Sequence, residues 1–245
     1  MASVQQIVMH PYVSQVLKFW STTVGRDKTS RAVQYLSRFL AWYYLTMGAP
    51  KETVTRFSSI KSNIGLSRKL FRIGKFLEHF QAAMKALSTP DIVLKVTAVG
   101  RQLGYALYLI LDALQWAHGS KAYVFEKETY QKIAKNAARF WLAGLTFSLI
   151  SGTYKSYNLI QRNKMAQRPK ATAEKEAERR VELNQIAVET RAVRLQMLQD
   201  LCDWINPGSS TGWINANDGM VGLAGFVSSC LGARSQWIKV NGTKK

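Results

Sequence analysis

Cysteine, histidine, proline and acidic residues are all scarce in this chain. Two cysteines, Cys202 and Cys230, stand 28 positions apart without a partner pattern, and the isolated histidines His10, His79 and His118 complete no metal spacing. A disulfide scaffold and a zinc module are thereby excluded, and no metal site is expected. Only five prolines, at 11, 50, 90, 169 and 207, interrupt the 245 residues. Because proline ends helices or sits in their first turn, long helices are allowed between them. Strand alternation and internal repeats are missing. So are a nucleotide-binding glycine loop, a nucleophile elbow and a paired-carboxylate motif, so neither catalysis nor a cofactor is expected. Acid is the sharpest shortage: 15 Asp or Glu stand against 34 Lys or Arg, a formal net charge of +19. Such an excess needs an anionic partner, either nucleic acid, an anionic membrane surface or an acidic protein. Met1 to His10 carry no signal-peptide pattern, so synthesis in the cytosol is expected.

What is present is helical periodicity. From Arg31 to Met47, apolar residues recur at Val33, Leu36, Leu40, Tyr43 and Met47, while Arg31, Gln34 and Arg38 mark another face. Leu183, Ile186, Thr190, Val193, Met197, Leu201 and Trp204 repeat the spacing on a charged background, and 161–173 and 206–218 have loop composition. Two apolar runs, Phe140 to Tyr154 and Gly219 to Ala233, contain no charge but are only 15 residues long each. Flanking Arg139, Lys155, Arg234 and Lys239 can snorkel and lengthen them, so 138–160 and 219–238 are candidate membrane spans. A third stretch, Ile92 to Ala117, carries Lys95, Arg101 and Asp112 and is a poorer span. The expected fold is all-α, a membrane-associated helical bundle with amphipathic N-terminal helices and two or three short apolar helices. Its regions are a basic membrane-remodelling segment at 1–90, central apolar helices at 91–160, a charged helix and loop at 161–218, and a second candidate span with a basic tail at 219–245.

The most informative segment runs from Leu66 to Leu87. At 100° per residue, Leu66, Leu70, Ile73, Leu77, Phe80 and Met84 fall on one third of the circumference, opposite Arg68, Arg72, Lys75 and His79. An in-plane interfacial helix needs such a face, with apolar area entering the acyl boundary while cations meet lipid phosphates; a core-facing bundle helix carries the same stripe. Residues 1–90 hold 13 Lys or Arg against 3 Asp or Glu, which favours an anionic membrane. No nucleic-acid-binding signature is present, so nucleic acid is not the partner expected. Gly144, Ser148 and Gly152, spaced by four, predict a close helix–helix contact, with oligomerisation as its expected use. Arg101, Tyr105, Tyr108 and Asp112 form a polar stripe suited to a polar pathway or to pairing inside a bundle.

Two segments carry a resemblance. Gly25-Arg26-Asp27-Lys28 through Arg31-Ala32-Val33-Gln34-Tyr35-Leu36-Ser37-Arg38-Phe39-Leu40-Ala41-Trp42-Tyr43, followed by Leu66-Ser67-Arg68-Lys69-Leu70-Phe71-Arg72-Ile73-Gly74-Lys75-Phe76-Leu77-Glu78, closely resembles the peroxin-eleven family of peroxisomal membrane proteins. The resemblance implies a peroxisomal membrane location, a role in elongating and dividing peroxisomes, self-association as a homo-oligomer, and an amphipathic segment that remodels lipid. Arg68, Lys69, Arg72 and Lys75 match that segment's basic face. It also implies contact with dynamin-related fission machinery and with a membrane-protein import receptor, and it raises a metabolite channel as the alternative. If 138–160 and 219–238 both span, the termini share a side, and the basic front segment places them in the cytosol.

Overall fold

The computed structural model describes residues 4–167 and 173–242, and these hold nine helices and no strand. They are α1 (Val4–Val8), α2 (Pro11–Trp20), α3 (Thr23–Thr46), α4 (Lys51–Leu70), α5 (Phe76–Ala86), α6 (Ile92–Gly119), α7 (Lys127–Ala166), α8 (Ala173–Thr211) and α9 (Asp218–Asn241). The all-α expectation holds. Side-chain caps start several of them. Thr22 accepts from the Gly25 amide, Asp91 from those of Val93 and Leu94, and Asn217 from that of Met220, each satisfying donors that a first turn leaves open.

Packing closes the helices into a ring. α3 lies against α4, α4 against α6, α6 against α7, α7 against α8, α8 against α9, and α9 returns to α3. α5 covers the outside of α6, and α2 touches α3 and α9. α6 and α7 approach closely, and a Cβ on Gly104 would lie 2.8 Å from the Gly144 amide nitrogen, so only glycine fits there. α9 meets α3 through its glycines, which receive the rings of Trp42 and Tyr35 and the Phe39 backbone.

Three expectations are corrected. Loop composition predicted non-helical chain at 206–218, yet α8 continues to Thr211 with Pro207 inside it. Pro207 is fully buried, Asn206 donates to the Tyr35 hydroxyl, and Ser210 and Thr211 bond back to the Asn206 and Pro207 carbonyls, so tertiary burial outweighs local propensity. In 161–173, α7 likewise runs on to Ala166, while 168–172 lie outside the described residues. The single helix predicted over 66–87 is two, α4 and α5, separated by a turn at 71–75 in which Gly74 takes a φ of +82°.

The third correction concerns the membrane spans. Among the described residues no helix is long and apolar enough to cross a membrane, so 138–160 and 219–238 are not the transmembrane spans that the sequence predicted. Fifteen helical residues reach only about 22 Å, short of the roughly 30 Å hydrocarbon core. Their small-residue faces are also taken by neighbours: 138–160 is the middle of α7 between α6 and α8, and 219–238 lies in α9 against α3 and α8.

Candidate functional site

The turn at Gly74 sorts the 66–87 segment into an outside and an inside. Leu70, Phe71, Ile73, Leu77, Met84 and Leu87 are exposed, Phe71 by 70% and Met84 by 68%. Leu66 and Phe80 are half-buried. Five exposed residues of the neighbouring α6, Ile92, Val96, Leu103, Leu107 and Leu114, extend the apolar surface at heptad spacing. The pattern recurs among the described residues: 38 large apolar residues are exposed, against 13 in the buried core, many of them alanine. Scattered exposed apolar side chains are ordinary, whereas a continuous face of them marks an interaction surface.

The cations of the same segment point the other way. Arg68, only 6% exposed, donates through Nε to Asp27 Oδ1 at 2.9 Å and through Nη1 to Gln34 Oε1 at 2.6 Å. Asp112, 2% exposed, accepts from Lys69 Nζ at 2.7 Å and from Arg72 Nη2 at 2.6 Å. The short linker lets consecutive turns of chain aim these three cations at two carboxylates on different helices. Lys75 is half-buried and makes no ion pair. The basic face read from the sequence is therefore mostly an internal ion-pair layer, because a chain with few acids places those it has where buried cations need them.

These groups line a cavity of about 1430 Å³ between α3, α4, α6, α7 and α8. Arg101, Tyr105, Tyr108 and Asp112, the polar stripe of α6, all face it. Arg101 lies over the Tyr105 ring at 5.7 Å and Arg72 over that of Tyr108 at 5.8 Å. The sequence reading missed the opposite wall. Arg31 of α3 meets Asp203 of α8 at 2.5 Å and Ser228 of α9 at 2.9 Å, while Asp200 accepts from Ser148 at 2.6 Å and from Gln196 at 2.8 Å. The available signal was the pair of acids three apart, Asp200 and Asp203, on one face of an amphipathic helix.

Burial decides the titration of this layer. It pushes the Lys28 ammonium down to about 8, helped by neighbouring Arg31 and opposed by Asp203. It raises the Asp200 carboxyl against the pull of the Ser148 hydroxyl and Arg101. At Asp27 burial also works against the charge, but Arg68 prevails and the carboxyl ends below its ordinary value. Among the described residues no group of three or more His, Cys, Asp or Glu is placed to hold a metal ion.

Gly144, Ser148 and Gly152 form the close contact that their spacing predicts, within one chain. Gly144 abuts Arg101 and Tyr105 of α6, Ser148 donates to Asp200 of α8, and Gly152 lies under Met197 of α8. All three are buried in the monomer, so this ridge is not free to form a contact between copies.

The sequence profile described as peroxisomal biogenesis factor 11 (PEX11) matches residues 13–237, which take in the apolar face, the ion-pair layer and α9 up to Trp237. The chain belongs to the PEX11 family. Among its relatives in PEX11-type proteins, the peroxisomal membrane protein PMP30B of Candida boidinii is 32% identical over 98% of both chains. The peroxisomal biogenesis factor 11 of Schizosaccharomyces pombe is 26% identical, over 95% of this chain and 98% of that protein. The human peroxisomal membrane protein 11A is 25% identical, over 88% of this chain and 92% of its own. No solved structure matches this PEX11-family chain.

Proposed function

We propose that this PEX11-family protein acts at the peroxisomal membrane without catalysing a reaction, and that it curves and elongates that membrane to promote peroxisome division. The peroxisomal names of its relatives support the location and the biogenesis role. One observation carries the mechanism: Leu70, Phe71, Ile73, Leu77, Met84 and Leu87 are exposed while Arg68, Lys69 and Arg72 are held in internal ion pairs. Leu70, Phe71, Ile73, Leu77 and Met84 enter the acyl boundary of one leaflet beside the outer face of α6. Full burial of one such side chain yields about 1.5–3 kcal/mol, and since these start half-covered the patch yields several kcal/mol in total. Insertion on one side expands one leaflet, and curvature follows when copies gather at high density. Self-association as a homo-oligomer and contacts with dynamin-related fission machinery and an import receptor belong to this reading. The cytosolic face of the peroxisome is its site of action, with anionic lipid attracting the basic N-terminal region and both termini towards the cytosol.

The deciding experiment is tubulation of liposomes by the full-length protein. Changing Phe71, Ile73 and Leu77 together to Glu leaves the fold intact, since all three are exposed, and abolishes tubulation. Unchanged tubulation by this folded variant would refute the mechanism.

A further inference from the structure

Ten Lys or Arg and four Asp side chains line the cavity, a formal excess of six positive charges, of which Asp218 offsets one through its pairs with Arg38 and Lys61. The four acids are already engaged. Asp27 is held by Arg68, Asp112 by Lys69 and Arg72, Asp203 by Arg31, and Asp200 by the Ser148 hydroxyl and the Gln196 amide. Lys28, Lys75 and Arg101 face the same space, and among the described residues none of them has a carboxylate within 4.0 Å. The Arg72 Nε is shut off from solvent and has no hydrogen-bond partner. Unmatched cations gathered in a cavity and partly withdrawn from water repel one another, and a counter-anion removes that cost. Lys28 registers the cost directly, because burial and the neighbouring Arg31 lower its proton affinity.

We infer that the cavity is a binding site for a phosphoryl anion, held by Lys28, Arg101 and Lys75. Phosphoryl oxygens suit this set: a guanidinium fork takes two oxygens side by side and an ammonium acts as a point charge. A singly charged carboxylate matches one of the five remaining charges, whereas a doubly or triply charged phosphoryl group matches two or three of them. The volume exceeds that of one phosphate, so the anion carries a further moiety, either a soluble organic group or the glycerol of a lipid. The site is independent of the curvature mechanism, because it uses the inward cations and not the outward apolar face.

The test uses full-length protein in phosphatidylcholine nanodiscs, with pyrophosphate as the soluble probe and phosphatidylinositol 4-phosphate in the disc as the lipid probe. Equilibrium dialysis follows pyrophosphate, and the thermal unfolding midpoint follows both. The expected result is saturable binding near one per chain that raises the midpoint. The Lys28→Gln/Arg101→Gln variant weakens it by at least about tenfold, since each lost charge-assisted bond is of that order. A control carrying Lys127→Gln and Lys155→Gln on the exposed surface removes the same net charge and leaves binding unchanged. Binding of pyrophosphate identifies a soluble ligand. A midpoint shift from the lipid alone, lost in the same double variant, identifies a lipid headgroup. Absence of binding by both probes, or equal loss in the surface control, overturns the site. A double variant that fails to fold is replaced by Lys28→Arg/Arg101→Lys, which keeps the charge and retains binding if the inference holds.

Discussion

Asp112 carries two cations on one carboxylate inside the bundle, and that arrangement fixes its response to substitution. Asp112→Asn leaves Lys69 and Arg72 buried beside a neutral amide. Breaking a buried pair from one side costs about 3–5 kcal/mol, so the thermal unfolding midpoint in detergent falls sharply, whereas Glu52→Gln, at an exposed pair with Arg56, leaves it near that of the parent. Lys28 gives a pH signature. Its ammonium titrates near 8 in the folded protein against an ordinary 10.5, so between those values the unfolded chain binds more protons, and stability rises with pH across that window. Denaturant titrations at stepped pH in the absence of phosphoryl ligand detect the slope, and Lys28→Met flattens it. Both effects arise at side chains with ordinary sequence surroundings. Nothing local marks Asp112 as the partner of residues forty positions upstream, and so the inward turn of Arg68, Lys69 and Arg72 was not legible.

At the scale of helices, periodicity was a good guide and boundaries were a poor one. The Val33 to Met47 spacing became α3 and the Leu183 to Trp204 spacing became α8. Both signals depend only on which residues share a helix face. The break at 71–75 depends on Gly74 adopting a left-handed backbone, and glycine permits that conformation without requiring it; the choice is made by Asp27 and Asp112, which lie elsewhere. The 144/148/152 ridge was legible as a close contact but not as an internal one, since small-residue spacing says nothing about which helix approaches. Gly104→Leu tests that packing. A side chain there meets the α7 backbone at under 3 Å, overpacking costs about 1–3 kcal/mol or more, and far-ultraviolet circular dichroism on heating shows a lower midpoint. Gly48→Leu has open space around it and costs only the strain of its positive φ, about 1–2 kcal/mol.

The whole molecule presents exposed apolar side chains beside exposed cations, but in the 66–87 segment the apolar face is outside while Arg68, Lys69 and Arg72 sit in internal ion pairs, so attachment through that face depends little on salt. Screening at physiological ionic strength acts over about 8 Å in water and weakly on buried groups. Flotation with vesicles should therefore keep the part carried by the apolar face when salt is raised or neutral phosphatidylcholine replaces anionic lipid, and lose only the part carried by the exposed cations of the N-terminal region. A collapse of flotation at high salt would place the attachment on exposed cations instead. The ring also has a history in time. Arg31 finds Asp203 and Ser228 at separations of 172 and 197 residues, and translation at about 5–20 residues per second puts roughly 10–40 s between their syntheses. Throughout that interval α3 and α4 are out of the ribosome with Arg31 and Arg38 still waiting for Asp203 and Asp218 and with the α3 face that meets α9 bare. Nascent chains halted before Asp203 should consequently be protease-sensitive and bound by holding chaperones, and completion of α9 should release them. Closure by α9 makes the finished ring an event that waits for the synthesis of Asp203 and Ser228.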